Sequence, residues 1–166
     1  MERLPVTVML CVALCATGFG QATATTVPPT ATATSSPQRP SEVEVYEAVL
    51  RYQIKSWDLN ADSYCVKVGG KDASKTLLGR LQPLHVKSAS GCKERHIASV
   101  MEIVDKKTGK LSVIFDMGKI HWLAPSNADV EGGYLCGTSC MAAGSYRVQW
   151  DGSGWVVIEF RKDFQS

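Results

Sequence analysis

Residues 144–160 read GSYRVQWDGSGWVVIEF. Tyr146, Val148 and Trp150 alternate with polar neighbours, the period of a strand buried on one face. Asp151-Gly152-Ser153-Gly154 has the composition of a tight turn, and Trp155 to Phe160 returns the chain. Trp150 and Trp155 flank the turn and are placed to pair across it. The chain therefore closes on a β-hairpin, and the segments before it decide what that hairpin joins.

Upstream, ADVEGGYLCGTSC (128–140) reads as another strand. Gly132-Gly133 marks a bend in it, or a place where backbone approaches a ligand, and the bend is the simpler reading. HIASVMEIVDKKTGKLSVIFDMGKIHW (96–122) reads as two strands joined across Lys106-Lys107-Thr108-Gly109. Leu111, Val113, Phe115 and Met117 alternate; Gly118 suits a bulge, after which Ile120 and Trp122 continue, and Pro125 closes the run. Further back, SEVEVYEAVLRYQIKSW (41–57) recurs near helical spacing at Val45, Val49 and Tyr52, with Ser41 placed to cap it and Glu42 and Glu44 in its first turn. Tyr64 to Val68 is a short strand stopped by Gly69-Gly70. DASKTLLGRL (72–81) is a second helix, capped by Asp72 or Ser74 and ended by Pro83, and HVKSAS (85–90) is extended. Helix, strand, helix and then a meander predict an α+β domain, its N-terminal helices packed on a curved antiparallel sheet.

GSYRVQWDGSGWVVIEF, with NADVEGGY before it, resembles the closing strands of NTF2-like (SnoaL-like, cystatin-like cone) domains. The resemblance covers roughly the last third of the chain and implies a cone-like sheet. The early strand Tyr64–Val68, lying between two helices, departs from that pattern. Such domains include isomerases, cyclases, hydrolases and many binding or assembly modules, so the resemblance implies no single function.

The front of the chain bounds location. MERLPVTVMLCVALCATGFGQATA (1–24) has a weakly positive start, an apolar run from Val6 to Ala16 broken only by Thr7, and an A-x-A pattern at Ala22-Thr23-Ala24. This is the layout of a secretory signal, and the run is too short for a spanning helix. Leu14 before Cys15 does not fit a lipobox, so a lipid anchor is not expected. Residues 25–40 are rich in Thr, Pro and Ser and read as a disordered linker. Residues 41–166 are left as a single domain of an exported, periplasmic or extracellular protein. The net charge of +2 and the lack of a basic run exclude nucleic acid as an expected partner, and no second apolar stretch is long enough to span a membrane.

Of the six cysteines, Cys65, Cys92, Cys136 and Cys140 follow the leader. Export and an even count favour disulfides. Three connectivities are open, and Cys65–Cys92 with Cys136–Cys140 is preferred. The second bridge requires the chain to turn at Gly137-Thr138-Ser139, because four extended residues span about 13 Å and a disulfide needs Cα atoms within about 7 Å. A zinc site would more often show two closely spaced pairs. A nucleophilic Cys140 would need a base that nothing local supplies.

His85, His96 and His121 form no HExxH and no i,i+4 pair. His121 sits on the meander, where a cone would place its pocket, and Asp116 and Glu131 could project beside it as an acid–base group. No cofactor or metal is expected. The sequence thus points to a small disulfide-stapled domain, a non-catalytic binding or interaction module for a small ligand or protein partner. The alternative is an NTF2-like enzyme using His121 and a nearby carboxylate.

Overall fold

The computed structural model describes Ser41 to Gln165. The expected signal peptide (1–24) and linker (25–40) lie outside these residues. Helix α1 spans Glu42–Ser56 and buries Val45, Tyr46, Val49, Leu50 and Gln53 along one stripe. Ser41 stands at its cap position, but its side chain makes no capping bond; its carbonyl accepts from Glu44 N at 2.9 Å. Strand β1 (Ser63–Val68) ends at Gly69 and Gly70, whose positive φ values of 57° and 75° fold the chain back into β2 (Lys71–Asp72). Helix α2 (Lys75–Arg80) is capped by Ser74, whose hydroxyl accepts from Leu77 N. Asp72 instead accepts from Ser90 N at 2.7 Å and ties β2 to a later turn.

Strand β3 (Val86–Ser88) follows, then β4 (Cys92–Ile97), β5 (Val100–Asp105), β6 (Ser112–Ala124), β7 (Asn127–Gly137), β8 (Cys140–Trp150) and β9 (Trp155–Gln165). The last four form the meander expected from the sequence, each antiparallel to the next. Trp150 pairs with Trp155, their rings 6.1 Å apart. The fold is α+β, the helices set with a strongly curled half-barrel sheet. The sheet is mixed, because β1 joins parallel to β6 and to β3.

A second departure concerns 96–122. Lys106 to Gly109 does turn, with Gly109 at φ 68°. Yet β5 and β6 share only the Val104–Leu111 bridge. Strand β5 pairs instead with β4 through a turn at Ala98, which has a positive φ of 53°, and β6 leaves to pair with β1 and β7.

The concave face packs on α1. Phe115, Met117, Val130, Tyr146 and Val148 are almost wholly buried there with Val45, Val49 and Leu50. Aromatic rings fill the centre. Tyr146 stacks on Phe160 at 4.6 Å, Trp57 meets Phe160 and Tyr134 at 5.4 Å each, and Tyr52 meets Tyr146 at 6.0 Å. Each such pair adds about 1 kcal/mol beyond its area burial. A second, smaller core lies on the convex face, where Cys65, Cys92 and Ile103 pack with Ile114 and Leu135. It fastens the β4–β5 hairpin over one end of the sheet.

Candidate functional site

The preferred disulfide pairing is the one present. Cys65–Cys92 joins β1 to β4 with Cα atoms 6.2 Å apart, and Cys136–Cys140 closes the β7–β8 turn at 5.2 Å. Strand β7 ends at Gly137, so the chain turns where that bridge requires. Thr138 in the turn then holds β5: its N–H donates to Met101 O, and its hydroxyl accepts from Met101 N at 2.7 Å. With all four cysteines of the described residues in disulfides, none of these four is a thiolate ligand or nucleophile here.

The concave interior was the expected pocket, and the aromatic rings occupy it. A polar cluster lies among them. Gln53 is wholly buried; its Nε2 lies 4.0 Å from Met117 Sδ, and its Oε1 has no partner among the described residues. Burial pushes the Tyr146 hydroxyl up to about 12, and the nearby Trp57 indole and Gln53 amide offset part of that rise. These groups converge without a well-formed hydrogen bond to Trp57 Nε1 or Gln53 Oε1.

His121 does not face this interior. The bulge at Gly118-Lys119 shifts the alternation of β6, so Ile120 and Trp122 continue the core face and His121 points outward, 55 % exposed. It meets Glu131 there, Nε2 to Oε1 at 3.1 Å. Asp116 shares the convex face but sits opposite Gly133 and pairs with Lys67 of β1 at 2.9 Å. Two of the three candidates therefore come together, and the third belongs to a neighbouring ion pair.

Asp116 and Glu131 nevertheless line one feature, an open groove of about 760 Å³ on the convex face. Its floor is a set of cross-strand rows. Ile114, Leu135 and Met141 form an apolar row. Asp116, Gly133, Ala143 and Phe164 form the next, with small residues at its centre and Phe164, 52 % exposed, as one wall. Glu131, Ser145 and Arg161 form the third. Glu94 of the β4–β5 hairpin closes one end, and Lys67, Gly69 and Gly70 border β1.

The glycines have packing reasons. A Cβ on Gly133 would lie 2.4 Å from Ala142 O, and one on Gly132 would lie 2.9 Å from Met117 Cε. Close packing thus accounts for both glycines, and the bare floor at Gly133 is its consequence. Beyond the third row, Arg147 grips Asp129 with two hydrogen bonds at 2.9 and 3.0 Å, and Arg161 adds one at 2.8 Å. The Arg147 bonds above all hold the Asp129 carboxyl below its ordinary value, against partial desolvation.

Sequence reasoning did not find Glu94, Met141, Ala143, Ser145, Asp163 or Phe164 as groove residues. The available signal was the alternation of β8, where Ala143 and Ser145 are the small outward partners of inward Ala142 and Tyr146. Among the described residues, no three His, Cys, Asp or Glu side chains gather as a metal site, and no helix is long and apolar enough to cross a membrane. No family model, curated protein or solved structure matches the chain.

Proposed function

We propose that the chain is an exported, disulfide-stapled binding module whose ligand seat is the convex-face groove, carried by residues 41–166 behind a cleaved leader (1–24) and a linker (25–40). The groove carries this reading. It has an apolar floor on rigid strands, polar groups at its rim, and a volume in the range of ligand pockets. The filled interior supports binding on the outside over cone-interior chemistry. Two disulfides suit an oxidising compartment.

The test is a thermal-shift screen against a panel of small molecules and short peptides, run on the wild type and on Ala143→Leu. A leucine there fills the central row. A ligand at a hundred times its Kd stabilises the protein by about 2.7 kcal/mol. Ligands that raise the wild-type Tm and leave the Ala143→Leu Tm unmoved support the groove. Equal shifts in both proteins place binding elsewhere and end the proposal. Intact mass of the secreted protein tests export by locating the cleavage site.

The His121–Glu131 contact at the groove rim favours a second reading, proton transfer on a bound substrate. It requires turnover that His121→Ala abolishes while ligand-induced stabilisation persists.

A further inference from the structure

We infer that the groove's occupant is a cationic peptide segment with a large apolar side chain between basic ones; this rests on the groove being the binding seat. Two observations carry it. The first is charge. Glu94, Asp116, Glu131 and Asp163 line the groove; among the described residues Lys67, paired with Asp116, is the one basic residue of that lining, and Arg161 at the end of the third row is bound to Asp129. Yet the chain as a whole carries a formal charge of +2 with histidines neutral. A local acidic field on a basic protein selects for a cation.

The second observation is arrangement. Glu94 stands at the β4–β5 end, Glu131 at the opposite end, Asp116 on the β1 side and Asp163 beside Phe164 on β9. The carboxylates surround the apolar floor of Ile114, Leu135, Met141 and Ala143. From the Ile114 row to the Glu131 row is four residues along β7, about 13 Å, and from β6 to β9 is about 14 Å. A single ammonium would leave most of that floor uncovered. A short peptide covers it, seating a leucine or phenylalanine against Met141 and Phe164 while flanking lysines reach Glu94 and Glu131.

The experiment uses the ¹⁵N-labelled chain and three synthetic pentapeptides. One is Lys-Leu-Lys-Phe-Lys with blocked ends; the others carry glutamine or glutamate in place of each lysine. The amides of Gly133, Ala143 and Ser145 report on the groove. The lysine peptide is expected to shift them saturably. Its affinity should fall with added salt and fall roughly threefold with each of Asp116→Asn and Glu131→Gln. Unchanged amides elsewhere in those variants exclude misfolding. If the glutamine or glutamate peptide shifts the same amides as strongly, the groove binds but the cationic assignment is overturned. If the lysine peptide shifts only amides outside the groove, or none, the assignment is also overturned. The small-molecule arm of the thermal screen then still decides whether the groove is a binding seat.

Discussion

Removing the Cys65–Cys92 bridge should destabilise the domain more than removing Cys136–Cys140, and should loosen one particular hairpin. The bridges close loops with sequence separations of 27 and 4. Loop-closure entropy assigns about 3.6 kcal/mol to the longer loop and about 2.1 kcal/mol to the shorter. With an unfolding entropy of about 2.1 cal/mol/K per residue, these correspond to Tm losses of about 14 °C and 8 °C. Position adds to the difference. Cys65 is 0 % and Cys92 5 % exposed, and their sulfurs form part of the small core with Ile103. Beyond that core, the β4–β5 hairpin is held by the Glu102–Gly137 pairing, the Thr138 bonds to Met101, the Val104–Leu111 bridge and a bond from Lys106 N to Gly91 O. The assay is thermal unfolding of Cys65→Ala/Cys92→Ala and Cys136→Ala/Cys140→Ala, with hydrogen exchange by mass spectrometry. Exchange should rise across Cys92–Asp105 in the first variant while β8 and β9 stay protected. A larger Tm loss in the second variant, or unchanged exchange across Cys92–Asp105 in the first, would refute the reasoning.

Three further outcomes follow from the core and the convex face. Gln53→Met should stabilise the protein by about 1–2 kcal/mol, because it removes a buried amide oxygen with no partner while keeping the volume beside Met117; a lowered Tm by calorimetry would show that the amide is satisfied. Tyr146 holds its proton to about pH 12, above the usual value of 10.0, so its burial stabilises the fold fully below pH 10 and that contribution disappears as pH rises towards 12. Absorbance titration should show its ionisation coinciding with alkaline unfolding, and a tyrosine signal complete by pH 11 in folded protein would contradict this. Arg147→Ala should lower Tm at pH 7, and its difference from wild type should shrink as pH falls below the unfolded aspartate value of about 3.9 through the depressed folded value of Asp129; a difference independent of pH would separate Arg147 from that carboxylate.

Local pattern made much of the fold legible. Helix α1 declared itself by spacing, and β8 and β9 by alternation around Asp151 to Gly154, whose turn the Asp151 carboxylate holds by accepting from Ser153 N and Gly154 N. The disulfide pairing was legible because Gly137-Thr138-Ser139 can turn. The parallel seat of β1 was not, since it pairs residues some fifty positions apart, such as Tyr64 with Val113. The β4–β5 turn was hidden because Ala98, with no glycine nearby, takes the positive φ. His121 was misplaced even though the bulge at Gly118 was legible: with Ile120 and Trp122 continuing the core face, the residue between them must point outward. The groove was illegible for another reason: it is made of four strands whose outward small residues acquire meaning only side by side.

The packing of the core and the groove on the back of the sheet meet at two glycines. Inward Gly132 makes room for Met117 and Gln53, and neighbouring Gly133 cannot carry a side chain without striking Ala142 O. The close packing of β7 on β8 therefore leaves the convex face bare at its centre, between Asp116 and Phe164. Substitutions at the two faces should separate accordingly. A larger residue at Gly132 presses on Met117 Cε and Gln53 Nε2 in the core and should lower Tm. A larger residue at outward Ala143 meets the open groove, so it should abolish ligand binding while sparing the fold.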